Sequence, residues 1–242
     1  MPLGRDTTIT WYGHSVVEIR TPGGKNVIID PWFSNPKSPK PADQVTQADV
    51  LIVTHGHFDH FGDALMVGSR TRAIWPCMHE MQLWLNRNFA HKDNLIGMNQ
   101  GGTVEAAGIK VTMVPAIHSS GDIYGSAESP IYFGAPVGVI LELENGFRIY
   151  HSGDTVAFRD MELIRELWKP DFAMLPIGGH YTMGPAEAAL AVGFLRVRDV
   201  LPLHYGTFPI LTGTPDALRE ALTARGIDGV TVHEPPPGGS ID

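Results

Sequence analysis

The segment THGHFDH, residues 54–60, carries three histidines and one aspartate and follows directly on an apolar run. Where the chain is extended, residues two apart point the same way, so His55 and His57 can direct ring nitrogens at one point. Asp59 and His60 follow where we expect the chain to bend into a helix, facing a second point nearby. This pattern at a strand end predicts a metal site and disfavours the alternative of a merely polar loop.

Further polar residues stand at the ends of other predicted strands. His118, Asp154 and His204 each come just after an apolar run. Zn²⁺ takes about four ligands and a two-metal centre needs more, so one segment cannot complete the site. Because an α/β fold gathers its site at the ends of its strands, we expect these residues to join the first segment. Neutral imidazoles and carboxylates suit Zn²⁺, Mn²⁺ or Fe.

The elements that must position these residues follow from the hydrophobic pattern. Short β-branched runs separated by turn residues predict hairpins first, and strands then alternate with helices, two of which open at prolines. Strands are predicted at 8–12, 15–20, 25–30, 50–53, 103–106, 109–114, 137–143, 147–150, 172–175 and 199–203, and helices at 158–168, 185–195 and 215–224. This order predicts an α/β chain with two mixed sheets packed face to face and helices outside.

The long segment 119–136 has no clear pattern, and both a lid and a plain surface excursion stay open. We expect a single domain over residues 1–234 and, because of its prolines and glycines, a flexible C-terminal tail over 235–242.

Composition restricts the partners. The 242 residues are 43% hydrophobic, the net charge is −8, and Cys77 is the only cysteine. The acidic charge argues against nucleic acid as a partner, and no apolar run approaches the ~18 residues of a membrane span. One cysteine excludes an intrachain disulfide and fits a reducing compartment. We therefore expect a cytoplasmic protein with a small-molecule substrate and no membrane partner, and leave open a homo-oligomer.

The order of these residues resembles the metallo-β-lactamase superfamily along nearly the whole chain. The details are closest to a subfamily of compact metal-dependent hydrolases, related to the longer ascorbate-6-phosphate lactonases and N-acyl-phosphatidylethanolamine phospholipases D. The matching features are Gly13-His14-Ser15, Asp30-Pro31, the loop at 134–138, the loop at 176–183 and the segment at 202–209. β-Lactam-cleaving members often place a cysteine at the second metal, whereas Cys77 lies elsewhere.

The resemblance implies an αββα sandwich and a ligand set. It assigns His55, His57 and His118 to one metal, Asp59, His60 and His204 to a second, and Asp154 to the bridge between them. It also places the loops of His14 and His180 at the rim of the cleft. There these two histidines are candidates for orienting substrate or stabilising an oxyanion, and a surface or hydrogen-bonded role is the alternative.

The ligand set predicts hydrolysis. Two divalent metal ions, Zn or Mn with Fe as an alternative, hold a water and lower its pKa, so that hydroxide can attack a carbonyl carbon or a phosphorus. Asp59 or Asp154 could accept the proton, although both are also ligands, and Asp59 is named as the catalytic candidate. The first hypothesis is hydrolysis of a small ester, lactone or amide. The second is a phosphodiesterase, and a mononuclear iron oxygenase or a non-catalytic metal-binding protein is less favoured.

Overall fold

The computed structural model describes residues 6–125 and 127–242. Its α-helices are α1 (Phe58–Phe61), α2 (Ala64–Thr71), α3 (His79–Asn88), α4 (Met161–Trp168), α5 (Pro185–Leu195) and α6 (Pro215–Ala224). Its strands are β1 (Thr8–Trp11), β2 (Val17–Arg20), β3 (Asn26–Ile29), β4 (Val50–Ile52), β5 (Trp75–Met78), β6 (Leu95–Met98), β7 (Thr103–Ala106), β8 (Ile109–Pro115), β9 (Gly121–Asp122), β10 (Ile131–Tyr132), β11 (Val137–Glu142), β12 (Arg148–His151), β13 (Phe172–Pro176), β14 (Asp199–Leu203), β15 (Thr231–Val232) and β16 (Gly239–Ile241).

Two mixed sheets form the centre of the fold. One has the strand order β16-β1-β2-β3-β4, and the other has the order β15-β14-β13-β12-β11-β8-β7. Inward side chains of both sheets share one core, with Ile9 and Val27 from the first beside Val111 and Met174 from the second. A second core lies between the seven-stranded sheet and helices α4, α5 and α6. The expected αββα sandwich is thereby confirmed.

Strand direction brings the predicted site residues to one end of the sandwich. β3 and β4 are parallel, and β12, β13 and β14 are parallel. β8 runs in the same direction as β12 because both are antiparallel to β11. The carboxyl ends of parallel strands meet at one edge of a sheet, so the segments that follow β8, β12 and β14 lie together.

The C-terminal segment is a strand, and the predicted flexible tail over 235–242 is corrected accordingly. β16 pairs antiparallel with β1, matching Ile9 with Ile241 and Trp11 with Gly239. Ile241 is only 9% exposed, and the Gly238 amide donates to the Trp11 carbonyl. The prolines and glycines form the turn into this strand, and the free edge of β1 supplies its hydrogen-bond partners.

Deleting residues 238–242 is expected to lower the free energy of unfolding by about 1–3 kcal/mol, because it removes the buried contact of Ile241 and exposes one edge of β1. Urea denaturation of the full and shortened chains measures this difference. Removal of Asp242 alone is the control. Equal stability of the shortened and full chains would support the original prediction of a flexible tail.

The segment between α1 and β7 holds elements for which the sequence analysis made no prediction. β5 and β6 form a small parallel sheet, with α3 connecting them. Among the described residues, no helix combines the length and apolar character needed to cross a bilayer.

The segment 119–136, for which a lid and a surface excursion were both left open, contains a short hairpin of β9 and β10. Residues 120–124 of this segment are bonded to the histidine-rich segment at three points. The Gly56 amide donates to Ser120 Oγ, the Phe58 amide donates to Asp122 Oδ2, and the Tyr124 hydroxyl donates to the Gly56 carbonyl.

Candidate metal centre

Three histidines, His55, His57 and His118, converge near the end of β4. His55 is buried, and its Nδ1 lies 3.0 Å from Thr54 Oγ1. That hydroxyl donates its own proton to Asp30 Oδ2, so it must accept the His55 Nδ1 proton, which leaves the lone pair of His55 on Nε2. This Nε2 lies 2.9 Å from Nδ1 of His57, and both atoms fall in one group of ligand atoms with His118.

His57 can bind a cation through Nδ1 only when its proton sits on Nε2. Ser119 Oγ lies 3.1 Å from that Nε2 and can accept the proton. Thr54 and Ser119 together therefore support the tautomers in which His55 and His57 direct adjacent lone pairs at one cation.

A second group lies beside the first at the start of α1. His14, Asp59, His60 and His204 bring one ligand atom each within reach of a common ion. His60 donates from Nδ1 to Asp30 Oδ2 at 2.7 Å, which leaves its Nε2 lone pair for a cation. A carboxylate that fixes the tautomer of a histidine ligand in this way is common at protein metal sites.

Asp154 connects the two groups. Its Oδ2 lies 3.1 Å from Nε2 of His204, 3.3 Å from that of His60, 3.7 Å from that of His118 and 4.0 Å from that of His55. One carboxylate oxygen facing ring nitrogens of both groups has the position expected of a bridging ligand.

The backbone before Asp154 requires glycine. Gly153 has a φ of +60°, and a Cβ there would lie 2.5 Å from the Val137 carbonyl oxygen. Neighbouring His151 accepts the Gly153 amide through Nδ1 and belongs to none of the ligand groups of the described residues.

The unpaired atoms and the charges of the site both fit metal ions. Asp154 Oδ1, His60 Nε2 and both ring nitrogens of His204 are buried and make no hydrogen bond to the described residues. Burial lowers the pKa of His204, but Asp154 and Asp59 outweigh that effect and raise it to about 9. Burial raises the pKa of Asp154, but His204 and His60 hold it well below its usual range. A proton held by His204 thus balances the negative charge of the carboxylates. Bound cations would take the place of such protons.

The outer support of the site includes Asp30, which the sequence analysis noted as a motif without giving it a role. Asp30 is fully buried, and it accepts the Thr54 amide at 2.7 Å besides the Thr54 hydroxyl and His60. It therefore orients ligands of both groups. Its position directly after β3, which is parallel to β4, was a signal that could have identified it.

His14 lies in the protein interior, whereas its loop was predicted at the rim of the cleft. It is 0% exposed and does not line the cavity above the candidate metal centre. Its Nε2 lies 3.0 Å from Asp59 Oδ2 and its Nδ1 lies 3.0 Å from Thr207 Oγ1. In this structure the ring therefore contacts a predicted ligand, Asp59, and the role of His14 toward substrate stays a prediction.

Replacing His14 with asparagine, which tolerates a left-handed backbone, is expected to weaken binding of one metal ion by about 10–100-fold. The reason is that Asp59 loses the ring that orients it. Metal titration against a competing chelator measures the change. His180→Asn is the matched control, and metal affinity that is equal in the His14 variant and the unmodified protein would contradict this role.

His180 is not brought to the cluster. It is exposed, and its ring contacts Tyr181 edge-on with centroids 4.4 Å apart. Tyr181 lines the cavity, whereas His180 does not. The predicted oxyanion contact is therefore not supported by the geometry, since the ring of His180 lies outside the cavity.

Comparison with known proteins identifies the family of the chain and agrees with the fold. A family model described as the β-lactamase superfamily domain matches residues 25–205. The chain is 45% identical over 243 residues to a UPF0173 metal-dependent hydrolase of Roseiflexus castenholzii, covering 99% of this chain and 98% of that protein. It is 46% identical over 230 residues to one of Myxococcus xanthus, covering 95% and 81%.

A solved structure of a metallo-hydrolase from the archaeon Ignicoccus hospitalis is 35% identical and covers 97% of both chains, with a TM-score of 0.84. The chain thus belongs to the β-lactamase superfamily and, within it, to the UPF0173 metal-dependent hydrolases. It is an enzyme, a metal-dependent hydrolase.

Proposed function

We propose that this hydrolase uses two divalent metal ions, Zn or Mn, to hydrolyse a small ester, lactone or amide. The observation that carries the proposal is the position of Asp154 Oδ2, within 4.0 Å of ring nitrogens from both ligand groups. His55, His57 and His118 would hold one ion, Asp59, His60 and His204 the other, and Asp154 both. Two bound ions would polarise the substrate oxygen and make hydroxide available at neutral pH.

The chain's own residues orient these groups and exclude water from them. The side chains of His55 and His60 are fully buried, and those of Asp154 and His204 are 3% and 1% exposed. His118 and Asp59 are 13% and 14% exposed and reach the floor of the cavity. Of the two carboxylates in the proposed ligand set, Asp59 is thus the more accessible to a substrate.

The proposal is tested with protein loaded with Zn²⁺ or Mn²⁺. We expect about two metal ions per chain by elemental analysis, and hydrolysis of nitrophenyl esters or simple lactones at least about tenfold faster, as kcat/KM, than of bis-nitrophenyl phosphate. His118→Ala protein is the control for contaminating esterase. A stoichiometry that never exceeds one ion under saturating metal would refute the two-ion centre, and preference for the phosphodiester would favour the second hypothesis.

A further inference from the structure

The cavity above the metal centre has an apolar wall. The cavity has a volume of about 640 Å³, and its lining includes five predicted ligands, His57, Asp59, His118, Asp154 and His204. Its apolar wall consists of Phe58, Tyr181, Phe208 and Ile210. Phe58, Tyr181 and Ile210 are 50%, 57% and 44% exposed. Large apolar side chains left in contact with water inside a concave site indicate a ligand with an apolar part.

This wall is held in place from behind. The buried ring of Trp32 stacks on Phe208 with centroids 5.8 Å apart and meets Phe58 edge-on at 5.5 Å. Rings fixed by such contacts lose little freedom when a ligand covers them, so the apolar contact is preorganised.

A carboxylate outside the ligand set also faces the cavity. Asp122 lines it but belongs to none of the ligand groups found among the described residues. The backbone amides of Phe58 and Ile123 hold its two oxygens at 3.1 and 2.8 Å. No lysine or arginine is among the described residues that line this cavity. An anionic arm of a substrate would therefore face Asp122 without a side-chain cation to neutralise it.

We propose that Asp122 and the apolar wall of Phe58, Tyr181, Phe208 and Ile210 are specificity determinants. They select a substrate whose group beyond the scissile bond is apolar and uncharged, and they reject one whose group is anionic. The inference rests on the proposed function for the scissile bond, but it concerns the arm of the substrate. A plain structural role for Asp122, as acceptor for the Phe58 amide at the start of α1, is the alternative that the experiment must separate.

The test uses hydroxamic acids, which chelate metal ions, and measures their binding to the metal-loaded protein by calorimetry. Hexanohydroxamic acid and adipic monohydroxamic acid have arms of equal length that end in a methyl group and a carboxylate. We expect the first to bind at least about tenfold more tightly. Asp122→Asn removes the charge and keeps one of the two acceptor oxygens, so it should tighten the adipic compound by about three- to tenfold. It should change the hexanoic compound less than about twofold.

The apolar wall is tested in the same way. Ile210→Ala should weaken hexanohydroxamic acid by about three- to fivefold while leaving acetohydroxamic acid, which has no arm to reach the wall, unchanged. Elemental analysis should show the same metal content in each variant, which excludes an indirect effect through the ligands. A purely structural Asp122 would leave the ratio of the two longer compounds the same in Asp122→Asn as in the unmodified protein.

The outcomes separate the two proposals. An unchanged ratio in Asp122→Asn, or equal binding of the two longer compounds by the unmodified protein, overturns the inference even when esters are hydrolysed. Failure of hexanohydroxamic acid to bind at millimolar concentration also overturns it. The expected ratios in a protein that hydrolyses no ester, lactone or amide would support the selectivity and refute the proposed reaction.

Discussion

Asp154→Asn protein is expected to lose most of both metal ions and to hydrolyse substrate more than about 100-fold more slowly. This loss is larger than the loss expected when a residue that only hydrogen-bonds a metal ligand is replaced. The substitution keeps the size of the side chain but removes the charge that faces His60, His118 and His204. Since one oxygen faces both ligand groups, neither ion of the proposed centre would keep its full ligand set. Metal content by elemental analysis and kcat/KM on the best ester measure the two effects.

Asp199→Asn is the matched control for this variant. Asp199 pairs with His233 at 2.8 Å, and neither residue is in a ligand group of the described chain. Its replacement should leave metal content unchanged. Should Asp154→Asn keep two tightly bound ions, the bridging role of Asp154 is wrong, and each ion must be held by its own histidines.

Asp30→Ala is expected to lower metal affinity by about 10–100-fold and the free energy of unfolding by about 2–4 kcal/mol. The carboxylate accepts hydrogen bonds from three buried donors, the Thr54 amide, the Thr54 hydroxyl and His60 Nδ1. Its removal leaves these donors without partners and releases the tautomers of His55 and His60. Chelator competition and urea denaturation of the metal-free protein measure the two losses separately.

Asp49→Ala is a suitable control, because Asp49 also accepts a backbone amide, that of Asn26, next to the same pair of strands. It lies at the other end of β3 and its side chain is 37% exposed. We expect it to cost less stability and no metal affinity. Equal metal affinity in the Asp30 and Asp49 variants would show that Asp30 serves the fold alone.

The hydrophobic pattern was sufficient for most of the elements that position the site. β14 begins and ends where it was predicted, and helices α5 and α6 match from their first prolines onward. The pattern failed between α1 and β7. There β5 contains Pro76, which normally argues against a strand, and its four residues are buried on both faces without alternation. Its parallel partner β6 lies across α3, a pairing that only tertiary packing defines.

For the site, the predicted ligands were the residues that follow apolar strands, and the structure brings all of them together. The roles of His14 and His180 could not be read in the same way. Both have positive φ values, +52° and +56°, so strand parity says nothing about where their rings point. His14 turns into the core and His180 turns out to solvent, each because of the packing around its loop.

The pairing of β1 with β16 has a consequence for the nascent chain. Thr10 and Ser240, paired across these strands, are 230 residues apart in sequence. Ribosomes add about 5–20 residues per second, so about 10–50 seconds pass between the synthesis of β1 and the synthesis of β16. An open strand edge is a template for pairing with other chains. The first strand is thus exposed to mispairing during synthesis, until the three residues of β16 cover it.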